Sequence, residues 1–170
     1  MRITFIICLL IAGLLGTSCS SSKRLSKASS QRAQLSQKFG FKLTKKDDLQ
    51  LYTEASKWLG VPYRYGGTTR KGVDCSGLVG QIYKQVYHTN LERSTTGMAQ
   101  KNCRKVGKGN LKTGNLVFFN TSKKKKGINH VGLFLKNGYF IHASTSKGVI
   151  VSNLKEDYYH KAWKQGGKVK

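Results

Sequence analysis

His130-Val131-Gly132-Leu133-Phe134-Leu135-Lys136-Asn137-Gly138-Tyr139-Phe140-Ile141-His142-Ala143 is the stretch whose reading decides the fold. Two apolar runs flank Asn137-Gly138, a pair suited to the left-handed conformations of a two-residue hairpin turn. They predict strands over His130 to Leu135 and Tyr139 to Ala143. Leu116 to Phe119 and Val149 to Asn153 predict two more, set off by the breaks Lys123 to Gly127 and Ser146 to Gly148. Each of the two central runs carries a histidine. The hairpin therefore makes His130 and His142 neighbours in space.

N-terminal to this meander the spacing is helical. Asp47 or Asp48 caps a helix through Leu59, with Leu51, Tyr52, Ala55, Trp58 and Leu59 on its apolar side. Gly60, Val61 and Pro62 stop it, and a glycine-rich loop runs to Gly72. Cys75 to about His88 forms the next helix, with Leu78, Val79, Ile82, Tyr83 and Val86 recurring at helical intervals. A short helix from Ser94 to about Lys101 follows, and Leu154 to Trp163 gives a last one. Helices first and strands after predict an α+β fold, with N-terminal helices packed on an antiparallel β-sheet.

The chain has four cysteines. A lone cysteine is usually a small core residue, but Cys75 begins a helix. The positive end of the helix dipole and its unpaired amides favour a thiolate there. Of two histidines on paired strands, one can serve as general base and the other can fix its tautomer. A zinc site is the rival reading, yet no close Cys-x-x-Cys or His-x3-His pair is present. No metal or cofactor is expected. Cys103 lies in a basic stretch without a motif and is expected to be a free thiol.

Residues Met1 to Cys19 read as an export signal: Arg2, an apolar run from Ile3 to Leu15, then small residues before Cys19. The run is short for a membrane span. Leu14-Leu15-Gly16-Thr17-Ser18-Cys19 resembles a bacterial lipobox, which makes 1–18 a lipoprotein signal peptide and Cys19 the lipidation site, anchoring the protein to a membrane. Residues 19–46, rich in Ser, Lys, Gln and Arg, read as a basic flexible tether with room for a transient basic helix, and 47–170 as the folded domain. The 31 Lys and Arg against 7 Asp and Glu give a net charge of +24, which calls for a polyanionic partner. Nucleic acid is one candidate, with Lys123 to Lys126 as a basic run, but an export signal argues against it. A non-catalytic wall-binding lipoprotein is another.

Five stretches, in order, resemble the NlpC family of cell-wall cysteine peptidases, most nearly its Spr-type murein endopeptidase lipoproteins. They are Val61-Pro62-Tyr63-Arg64-Tyr65-Gly66-Gly67, Asp74-Cys75-Ser76-Gly77-Leu78-Val79, Gly114-Asn115-Leu116-Val117-Phe118-Phe119, His130-Val131-Gly132 and Ile141-His142-Ala143-Ser144. The resemblance implies a papain-like fold with Cys75 as nucleophile, His130 as base and His142 as the orienting third residue. It places Tyr63 at the oxyanion position beside the Cys75 amide, and Asp74 and Ser76 at the substrate site. It implies a monomer acting on peptidoglycan in the bacterial cell envelope, at the outer membrane facing the periplasm. The chain departs from the family at Asn115, where Asp is usual, and at Glu92, where Spr-type sequences tend to have Pro.

Overall fold

In the computed structural model, which describes residues 18–122 and 127–170, the chain divides into two units, Met1–Asp47 and Asp48–Lys170. The expected signal peptide falls almost wholly outside the described residues, as do the Cys19 side chain and the Lys123–Lys126 run. In the first unit, α1 (Ser18–Phe39) occupies most of the segment expected to be a flexible tether. Lys, Arg, Gln, Ala and Leu are good helix formers even without an apolar stripe. Side chains then fasten the helix end. Arg32 Nε donates to the Thr44 carbonyl at 3.0 Å, and Ser36 Oγ accepts from the Leu43 amide at 2.9 Å. Gly40, at φ +75°, ends the helix with its N–H on the Ser36 carbonyl. Among the described residues no helix is long and apolar enough to cross a membrane.

The second unit opens with α2 (Leu49–Ser56), capped by Asp48, whose Oδ1 accepts from the Leu51 amide at 3.0 Å. The helix stops short of the Leu59 expected from spacing. The Gly60 amide instead bonds the Val149 carbonyl at 2.9 Å, which draws the chain toward the sheet. A small hairpin follows, β1 (Thr68–Thr69) with β2 (Gly72–Val73). Next come α3 (Cys75–Tyr87), ended by His88 at φ 52°, and α4 (Thr95–Gly97), which runs into a wide π-turn over Met98–Asn102. The remaining elements are β3 (Cys103–Val106), a 3-10 turn (Lys108–Asn110), β4 (Leu116–Phe119), β5 (His130–Lys136), β6 (Tyr139–Ser144), β7 (Gly148–Asn153), α5 (Asp157–Ala162) and β8 (Trp163–Val169).

Among the described residues six strands form one antiparallel sheet in the order β3-β8-β4-β5-β6-β7. The β4 to β7 meander matches the sequence expectation. Asn137 and Gly138 turn it with φ of 51° and 85°, both left-handed. Helix α3 packs on β5 and β6. A second cluster gathers Val117, Phe119, Phe134 and Phe140 from the sheet with Leu154, Tyr159 and Ala162 around α5. Strands β4 and β5 are buried along nearly their whole length, which explains their unbroken apolar sequences.

Candidate active site

Cys75 is placed by its neighbours on both sides. Asp74 is the N-cap of α3, its Oδ1 accepting from the Gly77 amide at 2.7 Å. Asp74 Oδ2 accepts from the Gly66 amide at 2.9 Å, which ties the glycine-rich loop to the helix start. A Cβ at Gly77 would overlap the Gly67 carbonyl, so the motif needs glycine where loop and helix touch. Arg93 closes the arrangement with a two-pronged contact, Nη1 to Asp74 Oδ1 at 2.9 Å and Nη2 to Oδ2 at 2.6 Å. Arg93 Nη1 also donates to Ser76 Oγ at 2.7 Å. Asp74 and Ser76, expected at the substrate site, border the same cavity as Cys75 and also hold the start of α3. Both are buried.

The Cys75 side chain is buried and lies 3.7 Å from Thr95 Oγ1, and the Val131 amide bonds its sulfur. Val131 directly follows His130. Cys75 borders a cavity of about 460 Å³ shared with Tyr63, Tyr65, Arg93, Thr95 and Asn129. Tyr65 is largely exposed at its rim.

His130 and His142 meet as the hairpin requires. Nε2 of His130 lies 3.0 Å from Nδ1 of His142, with the rings nearly perpendicular. Gly132 between them has no side chain to intrude; a Cβ there would come within 2.7 Å of the Phe140 ring and 3.3 Å of His142 Cβ. Beyond His142, its Nε2 stands 3.1 Å from Tyr159 Oη and 3.3 Å from Ser152 Oγ. A second cavity, of about 310 Å³, borders His130, His142, Ser152 and Tyr159.

Burial controls the electrostatics. It pushes the Cys75 thiol above its ordinary pKa, and the Asp74 charge adds to that. The Thr95 hydroxyl and the Val131 and Ser76 amides pull the other way without prevailing. Burial pushes His130 down to about 4. It also pushes His142 down, followed by repulsion from a charged His130. The shifts of Cys75 and His130 both favour the uncharged thiol and the uncharged imidazole. This runs against the sequence expectation of a favoured thiolate, because desolvation is the largest influence on Cys75. Burial also raises Tyr63, as do the neighbouring Cys75 and Asp74. For Asp74, burial raises the pKa, but the Arg93 guanidinium and the Gly77 and Gly66 amides more than reverse this and hold the carboxyl below its usual range.

Cys103 lies buried at the start of β3, unbonded to Cys75. Burial drives its thiol to about 11. Asn115 keeps the acceptor role that an Asp would fill, its Oδ1 taking the Lys112 amide at 3.0 Å. The Glu92 amide donates to Asn102 Oδ1 at 2.7 Å, a bond that proline lacks the N–H to make. Among the described residues no group of three or more His, Cys, Asp or Glu side chains is placed to hold a metal ion. The sequence reading did not single out Arg93, Thr95, Ser152 or Tyr159. Each reaches the site from an element distant in sequence.

Comparison with known proteins identifies the family and the fold. Residues 60–168 match the NlpC/P60 family. The chain is 38% identical over 120 residues to murein DD-endopeptidase MepS/murein LD-carboxypeptidase of Escherichia coli K12, covering 71% of this chain and 62% of that relative's length. It is 39% identical over 161 residues to the probable endopeptidase NlpC of the same organism, covering 95% of this chain and 97% of the relative. Among solved structures, the NlpC/p60 domain of peptidoglycan hydrolase SagA superposes with a TM-score of 0.59 at 28% identity, covering 70% of this chain and 96% of that one. The fold is the papain-like α+β arrangement of such domains, and the chain belongs to the NlpC/P60 family.

Proposed function

We propose that this protein is a cysteine endopeptidase that hydrolyses peptide stems or cross-links of peptidoglycan, with Cys75 as nucleophile, His130 as general base and acid, and His142 as its orienting partner. The observation that carries this reading is the junction of three elements. A cysteine at the first turn of α3 lies against the amide that follows His130, and His130 in turn meets His142 at 3.0 Å. The names of the curated relatives support the substrate class.

The uncharged resting state shapes the steps. As Cys75 Sγ attacks the scissile carbonyl carbon, its proton passes to His130. The Cys75 backbone N–H and the nearby Tyr63 hydroxyl stabilise the oxyanion. His130 then gives the proton to the leaving nitrogen, the C–N bond breaks, and a thioester remains on Cys75. A water molecule gives a proton to His130 and attacks the thioester. The new carboxylic acid leaves, and Cys75 recovers its proton from His130.

The net charge of +24 suits a wall polymer bearing free carboxylates. A lipid on Cys19 and location in the bacterial envelope, at the outer membrane facing the periplasm, complete the proposal, with the protein acting as a monomer. Incubation of dye-labelled sacculi with wild-type and Cys75→Ser proteins tests it. Wild type should release soluble dye while Cys75→Ser binds sacculi without releasing any. Binding without release by both proteins would instead favour a non-catalytic wall-binding role.

A further inference from the structure

We propose that Ser152 and Tyr159 are positioning residues that fix His142 as its Nε2–H tautomer. Its Nδ1 is then left to accept from His130. The choice of this tautomer rests on the peptidase reading above, because only it leaves His130 able to take the thiol proton, whereas the two hydroxyl contacts at His142 do not.

A neutral imidazole has one N–H donor and one acceptor nitrogen. His142 is 1% exposed, and burial keeps it uncharged. The contact between His130 Nε2 and His142 Nδ1 can therefore hold only one proton, and which ring supplies it sets the direction of the chain. If His142 carries its hydrogen on Nε2, then His130 donates through Nε2 and its Nδ1 is bare and able to take the thiol proton. If His142 carries it on Nδ1, His130 must carry its own on Nδ1 and cannot accept from Cys75.

The first arrangement needs acceptors at His142 Nε2, and the structure places them there. Two hydroxyl oxygens converge there, Tyr159 Oη at 3.1 Å from α5 and Ser152 Oγ at 3.3 Å from β7. Ser152 is also hydrogen-bonded to Tyr159, which occupies a hydroxyl proton. Both residues border the cavity of about 310 Å³, so the other hydroxyl proton can turn to solvent. The lone pairs of both oxygens are then free to accept from Nε2–H. The Tyr159 and Phe140 rings pack 5.1 and 5.0 Å from the imidazole and hold its plane. Short helix α5 thus does more than cover the core, because it brings Tyr159 to the far end of a chain that starts at Cys75.

Long-range ¹H–¹⁵N spectra of the folded full chain read the His142 tautomer without any turnover. Wild type should show Nε2–H, and a Tyr159→Phe/Ser152→Ala double variant should show a mixture or Nδ1–H. In kinetics, Tyr159→Phe and Ser152→Ala should each lower kcat roughly 2- to 13-fold with KM unchanged, the effect of one net hydrogen bond. In a His142→Ala background neither should lower kcat further. Nδ1–H in wild type, or equal losses in both backgrounds, would overturn the proposal. Tyr159→Phe keeps the ring that packs in the core, so a folded variant is available. A wild-type protein that hydrolyses nothing would overturn the peptidase reading, while the spectrum would still decide the positioning.

Discussion

Cys75 and His130 are both driven toward their uncharged forms by the same burial. On the proposed mechanism, catalysis depends on proton transfer during attack rather than on a standing ion pair, which has a pH signature. His130 titrates near 4 in the folded enzyme instead of its ordinary 6.5, so kcat/KM should hold its plateau from pH 6.5 down to about 5. An acid limb centred near 6.5 would contradict the account. Stability should move differently over the same range. Between the ordinary and the depressed value, the unfolded chain binds a proton that the folded chain refuses, so unfolding becomes easier as pH falls from 6.5 toward 4. Urea midpoints across that window check the sign. Substitution should separate the two histidines. If His130 carries the proton as proposed, His130→Ala should cost about 10²–10⁴-fold in kcat. His142→Ala should leave more activity, and the opposite order in two folded proteins would reverse their roles.

Among the elements, the start of α3 is the one on which the site depends. Asp74 closes the helix end, holds the Gly66 loop and pairs with Arg93. Removing an N-cap costs about 0.5–2 kcal/mol. The Arg93 pair adds less than a buried one, because the Arg93 side chain is 49% exposed and partly screened. Asp74→Ala should therefore destabilise by about 1–3 kcal/mol in urea unfolding, with the m-value unchanged. A loss below 0.5 kcal/mol would show that the cap is dispensable. Most of this element could be read from sequence, since capping residue, cysteine and apolar spacing are all local. The hairpin was equally legible, because Asn137-Gly138 fixes its own turn. Strand β8, Trp-Lys-Gln-Gly-Gly-Lys-Val, was not. Its polar and glycine residues carry little strand preference. It forms because β3 and β4 accept it between them, and Gly166 and Gly167 lie where a Cβ would meet Leu111, Val106, Phe118 and Cys103. The Arg93 pair and the Tyr159 contact were hidden for the same reason, since tertiary packing alone brings them to the site.

At the scale of the whole molecule, charge and tethering are separate questions with separate tests. Attraction of a protein of charge +24 to anionic wall polymer is screened by salt, with a Debye length of ~8 Å at physiological strength and ~3 Å at 1 M. A form lacking residues 1–22 should bind isolated sacculi at low salt and leave them at high salt. Replacing Lys123 to Lys126 by neutral residues should weaken that binding more than it slows cleavage of a small soluble stem peptide. Equal binding of the two proteins across a salt series would show that the run is an ordinary solvated loop. Acyl-chain burial is not screened, so a full chain lipidated on Cys19 should stay with membranes in 1 M salt. Release by salt alone would count against the anchor.

The central claim is that Cys75 hydrolyses an amide bond in peptidoglycan. Mass spectrometry of purified sacculi digested in H₂¹⁸O tests it most directly. Wild-type protein should yield peptide fragments with new carboxyl termini, each carrying one ¹⁸O, and Cys75→Ser should yield none. Sacculi left without new termini by the wild-type protein, or the same labelled fragments from both proteins, would contradict it.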